Sequence, residues 1–209
     1  MRILFNGGHQ YLAEKCVEHP DKFGLLHSMT GGIRAHNENI YHALDNGCFK
    51  RQPDPDEFVR YVEFYPGAAW VVLPDVVADA AATYDLSRRW RDDLEARGLN
   101  RDWSYVLQDG FDVSHVPDGI THVFLGGSTD YKMSREAYDA LVWAKSKGMY
   151  VHVGRVNSPP RMRYFQMVTD SIDGTGFTKF HWRTYYKRFI YQHERQLSLL
   201  PMKLEELED

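Results

Sequence analysis

The feature that most constrains this chain is how its apolar runs end. Ile40–Leu44 gives way to Asp45-Asn46-Gly47, Trp70–Leu73 to Pro74-Asp75, and Trp103–Leu107 to Gln108-Asp109-Gly110. His122–Leu125 gives way to Gly126-Gly127-Ser128, Tyr150–Val153 to Gly154-Arg155, and Ser171-Ile172 to Asp173-Gly174-Thr175-Gly176. Short apolar runs bounded by turn residues read as buried strands. Segments of helical periodicity lie between them, and alternation of the two implies a parallel sheet.

The sequence predicts strands at Arg2–Asn6, near Leu25–Ser28, and at Ile40–Leu44, Trp70–Leu73, Trp103–Leu107, His122–Leu125, Tyr150–Val153 and Asp170–Ile172. Helices are expected over His9–Glu18, from Pro55 with Asp54 as N-cap, and over Ala80–Arg97 closed by Gly98. Others are expected over Ser134–Lys147 stopped by Gly148, from Ser158-Pro159-Pro160, and over Trp182–Leu199. Thr30–Asn39 reads as a Gly/Asn-rich loop. About eight strands favour an α/β fold of the compact (β/α)8, TIM-like barrel type over an open doubly wound sheet. A single domain over residues 1–200 is expected, followed by an acidic tail at 201–209. The C-terminal strand ends of such a barrel open on one face, so the polar residues named above would converge there.

Charge and cysteine content narrow the function classes. The net charge is -4, so bulk charge does not advertise nucleic acid. Arg155 to Arg195 nevertheless holds eight Lys/Arg against three acids, an excess of five, which leaves the rest of the chain at -9. Such a segment either meets a phosphate backbone or is a solvated helix face. The two cysteines, Cys16 and Cys48, form no Cys-x-x-Cys pair, so no zinc knuckle or disulfide framework is indicated. The ten histidines show no His-Glu-x-x-His or His-x-x-x-His spacing, so neither a metal nor a cofactor is implied. The apolar start at Met1–Phe5 is too short for a signal peptide, and no run approaches ~18 residues, so a cytoplasmic protein without membrane association is expected.

Asp173 and Asp45 are the residues best suited to chemistry. Asp173 is followed by Gly-Thr-Gly, small residues that let a substrate approach a carboxylate. It is either a nucleophile for a sugar anomeric carbon or the cap of an Asp-Gly turn. Asp45 is either the partner that manages the leaving-group proton or part of an Asn-Gly turn. Asp75 and Asp79 bracket Val-Val-Ala and both could face a ligand, although Asp79 also suits a helix cap. Gln108 and the Gly126-Gly127 backbone match the donor and acceptor edge of a planar purine-like base. His152 lies within a strand and reads as a core histidine.

Val151–Phe177, LDNGCF at Leu44–Phe49, LPDVVADAAAT at Leu73–Thr83, VLQDG at Val106–Gly110 and FLGGSTDYKMS at Phe124–Ser134 together resemble one family. It is the 7-deazaguanine DNA-modification branch of the tRNA-guanine transglycosylase superfamily, bacterial and phage enzymes that exchange guanine in DNA for a 7-deazaguanine base. The resemblance implies a transglycosylase with Asp173 as nucleophile on C1′ and Asp45 as general acid/base. It implies base recognition by Asp75 or Asp79, with Gln108, Gly126 and Gly127, and substrate contact by Arg155 and Asn157. The partners it implies are DNA and a free 7-deazaguanine base. The tRNA enzymes' zinc site and appended RNA-binding domain have no counterpart here, which makes tRNA the less favoured polymer. That leaves Lys179, Arg183, Lys187 and Arg188 as the nucleic-acid candidates. A homodimer is compatible with the sequence. Rival readings are a hydrolytic or nucleoside-level purine glycosylase or base exchanger, a non-catalytic nucleic-acid-binding subunit, and an unrelated barrel whose Asp-Gly pairs are only turns.

Overall fold

The computed structural model describes residues 1–6, 10–33 and 37–179, excluding the side chains of Thr178 and Lys179. The helix expected over Trp182–Leu199, the acidic tail, and the candidates Arg183, Lys187 and Arg188 lie outside the described residues, as does the Lys179 side chain.

Eight parallel strands close into a barrel in sequence order. They are β1 (Arg2–Asn6), β2 (Phe23–Ser28), β3 (His42–Asp45), β4 (Val71–Val72), β5 (Trp103–Leu107), β6 (His122–Leu125), β7 (Tyr150–Val153) and β8 (Ser171–Asp173). β8 returns to β1 with Leu4 opposite Asp173, which closes the ring. The helices among the described residues are α1 (Gln10–Glu18), α2 (Pro55–Phe64), α3 (Ala80–Ala96), the short α4 (Thr129–Lys132), α5 (Arg135–Ser146), α6 (Pro159–Phe165) and α7 (Thr175–Lys179). β2 is followed by a 3-10 turn at Met29–Gly31 and β5 by another at Val113–His115. Two short connections of this kind help a barrel fit so few residues. Among the described residues no helix is long and apolar enough to cross a membrane.

The helix boundaries follow local chemistry. Asp54 caps α2 by accepting from the Glu57 N–H, with Pro55 at the first helical position. Asp79 caps α3 through the Ala82 N–H, and Ser134 caps α5 through the Ala137 N–H. Gly98 and Gly148 follow α3 and α5 with φ of 84° and 73°, the left-handed conformation that ends a helix. α4 was not expected, because four residues carry too little periodicity to read. β3 runs two residues later than its apolar run at the start and includes Asp45, since its ladder with β2 begins at His42 and Ile40 is held in a turn by Asn37. β8 likewise includes Asp173 and begins at Ser171.

Two apolar layers hold the barrel. Ile3, Phe23, Leu44, Val71, Tyr105, Val123, Val151 and Ile172 face the helices in the larger one. Leu4, Leu26, Ala43, Trp70, Val72 and Val106 fill the barrel interior. Strand alternation connects interior to mouth, because the residue two beyond an interior side chain points the same way. Leu4 leads to Asn6, Leu26 to Ser28, Ala43 to Asp45, Val106 to Gln108 and Phe124 to Gly126. On β7, His152 leads to Gly154, and on β8, Ser171 leads to Asp173.

Candidate active site

Asp173 sits at the end of β8, 5% exposed, and both of its carboxylate oxygens are held. Oδ2 accepts from Asn6 Nδ2 at 2.5 Å. Oδ1 accepts from the Arg155 N–H at 2.7 Å and lies 3.5 Å from His152 Nε2. Burial pushes the carboxyl up, but the His152 ring, the Arg155 N–H and the Asn6 amide outweigh it and hold it below the ordinary carboxylate value. Burial pushes His152 down more than the carboxylate pulls it up, so the ring is neutral beside an ionised Asp173. His152 is a core histidine as expected, fully buried between Trp70 and Phe124, with Nδ1 2.8 Å from Ser171 Oγ. Its contact with Asp173 was not anticipated.

Asp45 ends β3 at the same mouth and is half-buried. Its carboxyl is pushed up to about 6, first by burial and next by the charge on Asp173, against stabilising bonds from Gly47 and Ser28. The two carboxyls are therefore driven apart in acidity. At neutral pH one is firmly ionised and the other is poised near its own titration point, which is the division of labour an acid/base partner and a nucleophile require.

Of Asp75 and Asp79, the structure brings only Asp75 to the mouth. Asp75 is 5% exposed; Asn46 Nδ2 donates to its Oδ1 at 2.6 Å, and Gln108 Nε2 donates to its Oδ2 at 2.5 Å. Burial raises its pKa, opposed by those amides and by Cys48. Asp79 is exposed, and its carboxylate is occupied in capping α3. Gln108 is turned by the Ala78 N–H, which donates to Oε1 at 2.9 Å and so aims Nε2 at Asp75.

Gly126 and Gly127 follow β6 beside this network, and each is glycine for a different reason. A Cβ on Gly126 would lie 2.6 Å from Val106 Cγ1 and 3.0 Å from Gln108 Nε2. Gly127 has φ of 79°, and a Cβ there would press on Asp109 and Tyr131. Asp109 in turn accepts from the Ser128 N–H at 2.8 Å and its hydroxyl at 2.6 Å.

Arg155 bridges three strand ends. Its N–H holds Asp173, its guanidinium donates to Gly127 O at 2.7 Å, and the same group lies 4.5 Å above the Phe49 ring. It adopts φ of 60°, an uncommon conformation for a residue other than glycine, and these three contacts hold it there. Phe49 is 68% exposed, an aromatic face at the rim just beyond Asp45. Asn157 is exposed and its Oδ1 faces α7, 3.2 Å from the Gly176 N–H and 3.4 Å from Thr175 Oγ1. It ties the loop after β7 to the segment after Asp173.

Sequence reasoning missed Asn6, Asn46 and Lys132. Asn6 and Asn46 were readable as polar residues at strand ends. Lys132 is 7% exposed, and its ammonium donates to Gly154 O at 2.9 Å. Cys16 and Cys48 are buried free thiols. Among the described residues no group of three or more His, Cys, Asp or Glu side chains is placed to hold a metal ion. No family model matches the chain, and no curated protein matches its sequence. What the fold and the mouth define is a class: a (β/α)8 barrel with three carboxylates, two of them opposed in acidity, beside an amide-lined edge.

Proposed function

We propose that the protein is a base-exchanging glycosyltransferase that replaces guanine in DNA with a 7-deazaguanine base. One observation carries the reading: an ionised, fully bonded Asp173 shares the mouth with an Asp45 whose carboxyl is raised to about 6. The sequence resemblance supplies the substrate class, and the Asp75–Gln108 pair offers the acceptor and donor edge that a guanine-like heterocycle needs.

Asp173 attacks C1′ of the deoxyribose as the C1′–N9 bond breaks, and Asp45 passes its proton to N9 of the departing guanine. A covalent glycosyl-aspartate results. The incoming 7-deazaguanine then gives its N9 proton to Asp45, and N9 displaces Asp173 from C1′. One glycosidic bond replaces another, both carboxyls return to their starting state, and no energy source is consumed. A base inside a duplex must first leave the stack, and Phe49 offers an exposed ring against which a displaced base can lie.

The test is exchange of labelled guanine out of DNA, and separately out of tRNA, with and without 7-cyano-7-deazaguanine. Release from DNA that depends on the free base is the expected result, with a covalent DNA adduct lost in Asp173→Asn. Release without the base would indicate a hydrolytic glycosylase. Full exchange by Asp173→Asn would overturn the mechanism, and no release from either polymer would favour a nucleoside substrate or a non-catalytic subunit.

A further inference from the structure

We propose that Lys132 is a positioning residue for Asp173 and acts through the single peptide unit that joins Gly154 to Arg155. The carbonyl of that unit accepts from Lys132 Nζ at 2.9 Å, and its N–H donates to Asp173 Oδ1 at 2.7 Å. Both ends of one peptide plane are thus committed, with a cation on one side and the carboxylate on the other. A peptide polarised at its carbonyl by an ammonium is a stronger N–H donor, since hydrogen bonds in series reinforce one another. The plane is rigid, so fixing its oxygen also fixes the direction of its N–H.

Two further features fit this role. Arg155 occupies the left-handed region at φ of 60°, so the peptide before it is not set by ordinary strand geometry and needs an anchor. Lys132 is 7% exposed, and its ammonium is spent on a backbone carbonyl rather than on solvent. Burying a lysine is costly. Burial pushes this one down to about 7, and Arg155 and Arg161 push the same way, while Asp173 and Asp109 pull it up. The groups that face Asp173 are Asn6 from β1, Asp45 from β3, His152 from β7, Arg155 from the loop after β7, and Lys132 from α4.

The effect on turnover rests on the base-exchange reading, but the coupling itself does not, and it is measured without substrate. In protein carrying ¹³C-labelled aspartate carboxyls, the Asp173 signal is identified by its loss in Asp173→Asn and titrated in the parent and in Lys132→Met. The Asp173 midpoint is expected to rise in Lys132→Met, by less than the ~1 unit that an opposite charge in direct contact gives, because a peptide plane separates the two groups. Coupling is reciprocal, so in lysine-labelled Asp173→Asn the Lys132 Cε midpoint falls by a similar amount, and this arm needs no change at the buried lysine. The Arg155 amide resonance is expected to move in Lys132→Met, whereas Lys132→Gln, which keeps a donor for Gly154 O without the charge, keeps that resonance near the parent's but leaves the Asp173 midpoint raised. An Asp173 midpoint unmoved in folded Lys132→Met, or a Lys132 midpoint unmoved in Asp173→Asn, overturns the proposal even if the enzyme exchanges bases. Absence of exchange with both midpoints moved and the Arg155 amide displaced in Lys132→Met leaves the relay standing and overturns the activity instead, whereas an Arg155 amide unmoved in Lys132→Met overturns the relay.

Discussion

The side-chain amide of Asn6 donates to Oδ2 of Asp173 at 2.5 Å, joining the first and last strands of the barrel at a buried carboxylate. The contact follows from register. Leu4 pairs with Asp173 across the β1–β8 seam, so the next inward-facing residue of β1 reaches over the end of β8. Seam closure and the orientation of the Asp173 carboxylate therefore depend on the same bond.

Asn6→Ala removes a hydrogen bond to a charged group, and the expected cost is about 1.5–3 kcal/mol of stability at neutral pH. Asp173 is held below its ordinary pKa in the folded chain, so its stabilisation is present above the unfolded value near 3.8 and is lost as pH falls through the folded one. The difference between parent and Asn6→Ala should accordingly shrink in acid. Urea unfolding at pH 7 and at about pH 3 reads this directly. An equal deficit at both values would mean that Asn6 supports the seam by packing alone.

Asp45 has the opposite sign. Its folded pKa is raised from 3.8 to about 6, so between those values the folded chain keeps a proton that the unfolded chain has released. Stability from this group falls as pH rises through that window and stays low above it. Asp45→Asn keeps the shape without the charge, and it is expected to be more stable than the parent by about 1–3 kcal/mol at pH 7.5, with the gain fading toward pH 4. Base exchange should be lost in the same protein. A variant less stable than the parent at pH 7.5 would show that the carboxylate's bonds from Gly47 and Ser28 outweigh its burial and its repulsion from Asp173.

Much of this mouth was legible because period-2 alternation carries an interior strand directly to its end. Asp45, Gln108, Gly126 and Asp173 all follow apolar runs, and β3 and β8 even extend to include their carboxylates. Asp75 and Asp79 could not be separated in sequence, since both follow β4 within seven residues. A cap bond to Ala82 and two side-chain amides divide them in space. His152 was legible as core but not as Asp173's neighbour, because that contact depends on how β7 is staggered against β8, with His152 opposite Ser171. Lys132 was illegible. It lies on a four-residue helix, and a lysine in a polar stretch reads as surface unless the acceptor, here a backbone carbonyl 22 residues away, is known.

The paired glycines are required for different reasons, and only one of them bears on Gln108. Gly127 is held at φ of 79°, so Gly127→Ala takes on left-handed strain of about 1–2 kcal/mol, and its Cβ presses on the Asp109 carboxylate that anchors Ser128. Its expected signature is a lowered unfolding midpoint. Gly126 has no such backbone constraint. The Cβ of Gly126→Ala meets Val106 Cγ1 at 2.6 Å and Gln108 Nε2 at 3.0 Å, and of the two only Gln108 is the end of a side chain that can swing. Displacing that amide removes a donor from Asp75 Oδ2 and changes the edge offered to a base. Gly126→Ala is therefore expected to raise the KM for the free base at least several-fold, the scale of one lost hydrogen bond at about 1 kcal/mol, and its clash with buried Val106 lowers the unfolding midpoint as well. If Gly126→Ala binds the base as the parent does, Gln108 does not contribute to recognition and Asp75 must hold the heterocycle without it.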